Sequence, residues 1–407
     1  MKKKLYSFFL IVLALVTSPF LIRYLLINKK VSFLNSIYFN FPGIINKNKT
    51  CSRLDALLNQ TLDNSFSVSI VNKNGTIISS YNDKVPRLPA SNQKLISSAY
   101  VLSKYKLNNN LKTSLLKKNK NNYYLLGQGD PDLNYENIID LISSVKENKI
   151  INFNIVEIDS KLQWPKGWSN TDKLYEYGSP ITSLAIESNH SKYEDIYTLK
   201  NFIKNYLKNK FLNSNVNINF VDSRNKFYLK NSIEINKIYS NPILSLLTLI
   251  NSESHNFTAE SLFKNASNTW NNNDYIKLKS WLKNKGLPVT NTYFADASGL
   301  SRKNKITTKL VALFLDKMRY SNDFKAYQST LSIMGVRGTL AKRFINSEIS
   351  GKFFGKTGTL SDVFALSGFL YINDEPIIIS IIQNSTNIDK EKAFKLLLDI
   401  YYTKPCK

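Results

Sequence analysis

Ser91 and Lys94 stand three residues apart where an apolar helical pattern begins, a spacing that puts both side chains on one face of a helix. A serine hydroxyl is a poor nucleophile until a base takes its proton. A lysine amine can be that base when burial and a neighbouring cation lower its pKa. Alone the spacing says little: Ser103 and Lys106, Ser143 and Lys146, Ser261 and Lys264, and Ser280 and Lys283 repeat it, as solvated helix faces commonly do. A second polar triplet, Ser254-His255-Asn256, has S-x-N form, which Ser223-Arg224-Asn225 and Ser385-Thr386-Asn387 share. Lys356-Thr357-Gly358, followed by Thr359, occurs once, at the start of a β-run where Gly358 would let another backbone approach closely. By itself it reads as a strand edge with a turn residue. The three together, in this order, describe an activated serine, a polar partner and a cationic strand.

The elements that must position them can be read from periodicity. Leu54, Leu57, Leu58 and Leu62 mark one helix face, and strands over Phe66 to Val71 and Thr76 to Tyr81 follow, joined through Asn74-Gly75. The helix bearing Ser91 and Lys94 comes next. From about residue 104 to 238 the texture changes to short β-runs (Tyr123 to Leu126, Phe153 to Ile158, Lys226 to Leu229) with Asn- and Lys-rich connections and a helix near Tyr135 to Val145, which reads as an inserted domain. Helical texture returns at Pro242 to Ile250, Phe257 to Ala266, Tyr275 to Lys285 and Thr307 to Met318. Strands then fit Phe353 to Leu360, Val363 to Tyr371 and Pro376 to Gln383, before a last helix over Asp389 to Tyr402. Helix–hairpin in front and hairpin–helix behind most economically share one antiparallel sheet flanked by the terminal helices, an α+β arrangement. The expected organisation is therefore a catalytic domain over 51–103 and 239–407, interrupted by an insertion over 104–238.

Composition bounds the alternatives. The chain has 407 residues, 43% of them hydrophobic, and a formal net charge of +25. That excess favours anionic partners. It is spread through a chain rich in Lys and Asn throughout, however, and no nucleic-acid-binding signature accompanies it, so no nucleic-acid partner is expected. Lys2, Lys3 and Lys4 precede an apolar run from Leu5 to Ile22 with no clear cleavage site after it. Residues 1–27 read as a signal peptide or an uncleaved signal-anchor and 28–50 as a spacer, placing the protein in the cell envelope, with membrane attachment if the segment is retained. Two cysteines and two histidines support neither a metal cage nor a Cys/His nucleophile, and no cofactor is expected. Cys51 precedes the first helix and Cys406 follows the last. In an exported protein they are placed to staple the chain ends, the alternative being two free thiols.

S-x-x-K, S-x-N and K-T-G in this order are the mark of penicillin-binding proteins and class A β-lactamases. Gly127-Gln128-Gly129-Asp130-Pro131, Trp164-Pro165-Lys166-Gly167-Trp168, Tyr177-Gly178-Ser179-Pro180, Asp296-Ala297-Ser298-Gly299-Leu300-Ser301-Arg302 and Gly338-Thr339-Leu340 narrow the likeness. From Leu54 to Tyr402 the chain resembles the D-alanyl-D-alanine carboxypeptidase/endopeptidase family, the class C low-molecular-mass penicillin-binding proteins (peptidase family S13). The resemblance implies a β-lactamase/transpeptidase-like domain with a large inserted domain. It also implies a site acting on peptidoglycan stem peptides ending in D-Ala-D-Ala. Ser91 would attack the penultimate D-Ala carbonyl with Lys94 as base. Ser254 and Lys356 would relay a proton to the leaving amine, and Asn256 would bond the substrate amide and the lysine. Lys356, Thr357 and Thr359 would hold the terminal carboxylate beside Gly358, with the amides of Ser91 and Thr359 as oxyanion hole. β-Lactams would acylate the same serine. Asp130 and Arg302 are candidates for substrate recognition, against a turn residue and a structural ion pair. Two departures stand out: His255 occupies a position where the family usually has Asp or Asn, with its side chain expected to point away from the serine, and Ser361 follows Leu360. The rival readings are a β-lactamase and a wall-binding or sensory protein with little turnover.

Overall fold

The computed structural model describes residues 50–407 apart from 160, 162, 191–195, 271, 273, 405 and 407. The signal or anchor expected over 1–27, and the spacer over 28–50 except Thr50, lie outside the described residues. Among the described residues no helix is long and apolar enough to cross a membrane.

Helix α1 (Ser52–Thr61) buries Leu54 and Leu58 one turn apart and leads to β1 (Phe66–Val71) and β2 (Ile77–Tyr81). The turn between the strands is longer than an Asn-Gly hairpin. Asn72 Oδ1 accepts the amides of Asn74 and Thr76, and the register shifts between Ile70 and Val71. A 3-10 turn at Ala90–Asn92 opens α2 (Gln93–Leu102), whose residues are all buried. The inserted region supplies β3 (Asn110–Lys117), β4 (Asn122–Leu126), α3 (Tyr135–Ser143), β5 (Ile150–Glu157), α4 (Ile196–Lys210), β6 (Asn215–Asp222) and β7 (Ile233–Pro242). A helical block follows: α5 (Ile243–Asn251), α6 (Asn256–Ser267), α7 (Ile276–Asn284), α8 (Thr308–Arg319) and α9 (Phe324–Ser329). The chain closes with β8 (Ser332–Ile333), β9 (Phe353–Leu360), β10 (Val363–Ile372), β11 (Glu375–Asn384) and α10 (Lys390–Thr403).

Front and back strands form one antiparallel sheet in the order β2-β1-β11-β10-β9-β8, with Phe66 opposite Gln383 and Lys356 opposite Ser367. Both faces of its central strands are covered, so alternate residues serve two cores. Ala365 and Phe369 of β10 pack with Val71, Ile378 and the helical block, while Phe364, Leu366 and Leu370 pack with Leu54, Leu58, Leu397 and Ile400 of the terminal helices. This α+β layout matches the sequence expectation. A disulfide joins Cys51 to Cys406, with Cα atoms 5.3 Å apart, and ties the start of α1 to the chain beyond α10.

The inserted strands form a second, mixed sheet in the order β6-β5-β4-β3-β7, with β4, β5 and β6 parallel. Two crossovers through α3 and α4 supply the parallel pairs. The run Lys226 to Leu229, read from the sequence as β, is instead a 3-10 turn: the Asn225 side chain accepts the Phe227 amide, and Tyr228 stacks on Tyr124 at 5.7 Å between ring centroids. Helix α4 was not anticipated, and β7 runs on to Pro242, past the boundary expected at 238.

Candidate active site

Ser91 sits in the 3-10 turn that opens α2, so Lys94 lies one helical turn further on. The turn is sharp: Ala90 takes φ +45°, a value a non-glycine residue adopts only under constraint. Two glycines let neighbouring chain approach it. A Cβ on Gly299 would lie 1.8 Å from Ala90 O, and one on Gly358 would lie 2.8 Å from Ser91 N and 2.9 Å from Pro89 O. The nucleophile turn is thereby held between the 296–302 loop and strand β9.

Lys94 is fully buried and has three partners: Ser91 Oγ at 2.8 Å, Asn256 Oδ1 at 2.5 Å and Ser298 O at 2.8 Å. Burial pulls its pKa down to about 7, against the opposing charges of Asp296 and Glu260. The sequence expectation named burial and a neighbouring cation. Burial is the leading cause for Lys94, and the repulsion between the two lysines weighs on Lys356, which burial and the Lys94 charge hold well below the usual lysine range.

Asn256 is the first residue of α6, and Ser254, just before it, takes φ +66°. Asn256 Nδ2 donates to Tyr177 O at 2.8 Å, so the inserted region reaches into the site. His255 turns away from the serine. Its Nδ1 lies 2.6 Å from Thr258 Oγ1 and its Nε2 lies 2.9 Å from His190 Nε2.

The 296–302 loop is fixed by two buried carboxylates. Asp296 accepts the Trp168 indole N–H at 2.9 Å, the amides of Gly299 and Ser301, and Asn304 Nδ2. Glu260 accepts the amides of Ala297 and Ser298 and the Tyr275 hydroxyl, with its carboxyl pushed up by burial and by the Asp296 charge. Their joint effect is to present Ser298 O to Lys94. Sequence reasoning quoted this loop but assigned no role to Ser298 or Glu260, since a backbone carbonyl and a carboxylate two elements away leave no local signature.

A cavity of about 710 Å³ opens over these groups, with Ser91, Ser254, Asn256, Arg302, Thr359 and Ser361 among its walls. Lys356 lies buried beneath, its Nζ donating to Thr357 O, while the Thr357 hydroxyl donates to Thr339 Oγ1 at 2.8 Å. Arg302 reaches the rim but is committed to Asp362 and to Ser361 Oγ. Asp130, the other candidate for substrate recognition, is not part of the cavity wall. It is buried in its own turn, accepts the Asp132 amide at 3.0 Å, and follows Gly129, which is wedged against Ser261 and Trp270. Burial raises its carboxyl to about 6.

The same arrangement of elements occurs in known structures. Penicillin binding protein 4 of Haemophilus influenzae superposes with a TM-score of 0.70 at 20% identity, over 86% of this chain and 99% of that one. A predatory peptidoglycan endopeptidase of Bdellovibrio bacteriovorus superposes with a TM-score of 0.55 at 15% identity, over 84% and 94%. In sequence, the D-alanyl-D-alanine carboxypeptidase DacB of Haemophilus influenzae is 30% identical over 142 residues, which is 33% of this chain and 30% of that protein. The chain spans less than a third of the length of the curated relatives it matches. The family match reaches much further, through both the nucleophile turn and the K-T-G strand: over residues 52–201 and 196–401 the sequence fits the D-Ala-D-Ala carboxypeptidase 3 (S13) family, and the chain belongs to it.

Proposed function

We propose that this chain is a penicillin-sensitive serine D-alanyl-D-alanine carboxypeptidase of the cell envelope, whose site also serves endopeptidase cleavage of D-alanyl cross-links. One observation carries the reading. Two carbonyl oxygens, Asn256 Oδ1 and Ser298 O, take two donors of Lys94 and leave its third position to Ser91 Oγ.

In this scheme Ser91 Oγ attacks the penultimate D-Ala carbonyl while its proton passes to Lys94. The amides of Ser91 and Thr359 hold the developing oxyanion. Ser254, on the cavity wall, passes a proton to the departing D-Ala amine, with Lys356 beneath as the further member of the relay. The terminal carboxylate lies along Thr357 and Thr359 in the field of Lys356. Water then cleaves the ester and restores Ser91. Family membership and the activities of the relatives named above support the substrate class. For localisation the support is the basic and apolar N-terminal run together with the disulfide, since cross-links of this kind persist in oxidising compartments.

Incubation with a stem pentapeptide tests the reading directly. The purified chain should release one D-Ala per peptide, Ser91→Ala should release none, and prior penicillin should block the reaction. Release that survives Ser91→Ala would overturn it. A cross-linked muropeptide in parallel would be cleaved at its D-alanyl bridge by the same serine.

A further inference from the structure

We propose that His190, from the inserted region, is a positioning residue for the S-x-N motif: by accepting a hydrogen bond from His255 it holds the imidazole that caps α6 in its neutral form, and so holds Asn256 where Lys94 meets it. The inference rests on the serine-enzyme reading above.

The chain has two histidines, and they touch. Their Nε2 atoms lie 2.9 Å apart with the rings at 64°. A hydrogen bond there needs one protonated and one bare nitrogen, and the other side of His255 decides which. His255 is the N-cap of α6, its Nδ1 accepting the Thr258 amide at 3.4 Å. An amide N–H can only donate, and the Thr258 hydroxyl, 2.6 Å from Nδ1, can donate to the same nitrogen, so the cap requires a bare Nδ1. The proton of neutral His255 therefore sits on Nε2 and points at His190 Nε2, which accepts. Asn256 is the next residue along, so the cap and the catalytic amide are successive links of one backbone.

The segment that delivers His190 is built for a fixed position. Glu187, Ser188 and Asn189 all take positive φ, 46°, 60° and 56°, a costly run for residues other than glycine. Cross-braces hold it. Ser179 Oγ donates to Ser188 O, Asn189 Nδ2 donates to Pro180 O and Thr182 Oγ1, and the Trp164 indole donates to Gly178 O. The same stretch places Tyr177 O on Asn256 Nδ2. Two consecutive residues of the motif are thus gripped from the inserted region.

A second proton on His255 would have to sit on Nδ1, facing the Thr258 amide, and would break the cap. Burial opposes it most, and the His190 and Lys94 side chains beside the ring add to that, so His255 is pushed down to about 3. Nearby carboxylates are committed elsewhere, Glu260 to Tyr275 and the amides of Ala297 and Ser298, and Glu253 to the Ser252 hydroxyl.

The test is the rate of acylation by benzylpenicillin against pH. Wild type should show a one-proton acid limb, set by Lys94. His190→Ala should lose roughly five- to ten-fold at neutral pH through the weakened cap. Below about pH 6 its limb should steepen towards two protons, as His255 gains water and titrates nearer its usual range. His190→Gln, whose Oε1 can accept the Nε2 proton, should restore both rate and slope. Asn at 255 caps without titrating, so on a His255→Asn background His190→Ala should cost little more. Failure of wild type to acylate at all would overturn the serine-enzyme reading. Normal acylation by wild type with an unchanged rate and slope in His190→Ala would overturn this inference alone, as would an equal loss on both backgrounds. If His190→Ala does not fold, His190→Gln decides, and a two-proton limb there contradicts the proposal.

Discussion

Lys94 has two proton acceptors that cannot donate, Asn256 Oδ1 and Ser298 O, and one partner that can do either, Ser91 Oγ. As a free amine it spends both protons on the carbonyls and turns its lone pair to the serine; as an ammonium it donates to all three and the serine keeps its proton. With its pKa near 7, the free form gains as pH rises. Acylation should therefore climb about tenfold per pH unit below that point and level off above it. Rates measured between pH 5 and 9 check this, and a flat profile contradicts it. Lys94→Ala should slow acylation by about 10²- to 10⁴-fold, the usual contribution of a positioned base. Rapid-quench trapping of the penicilloyl adduct would measure it, and a near wild-type rate would remove Lys94 from the account.

Strand β9 and the nucleophile turn approach each other where Gly358 has no side chain. A methyl there would meet Ser91 N and Pro89 O, both backbone atoms that cannot rotate aside, so one element would have to shift. Gly358→Ala should cost roughly 10²-fold in acylation, the scale of a small misplacement at a reacting centre. An unimpaired rate would show that the approach is not needed. This approach was legible in the K-T-G sequence, and so were the strands: β1, β10 and β11 follow the apolar runs almost to the residue, because both faces are buried and nearly every position reports it, while β9 was marked by its K-T-G motif. Helix α4 was missed although Leu199, Ile203 and Leu207 mark a buried stripe, since Lys and Asn crowd the intervening positions. The partners of Lys94 were only half legible. Ser91 and Asn256 sit in motifs, but Ser298 O reaches the lysine through Asp296 and Glu260, contacts that span elements far apart in sequence. Asp130 was open between a recognition residue and a turn residue, and it lies buried in its own turn.

At the scale of the molecule, the two ends of the described chain meet. The sheet takes its strands from both ends, α1 and α10 cover one face together, and the Cys51–Cys406 disulfide closes a loop of 355 residues in sequence separation. Cross-linking so long a loop restricts the unfolded chain, and Cys51→Ser with Cys406→Ser should lower unfolding free energy by about 2–4 kcal/mol. Thermal unfolding of the double variant measures this, and an unchanged transition would mean that the terminal helices already hold the ends. Catalysis should persist below the transition, because the disulfide and the serine lie in different parts of the fold. The most direct trial of the whole account is intact-protein mass spectrometry after benzylpenicillin, followed by peptide mapping. Wild type should gain one penicilloyl group, on Ser91, and Ser91→Ala should gain none. An adduct on another residue, or one that survives in Ser91→Ala, would contradict it.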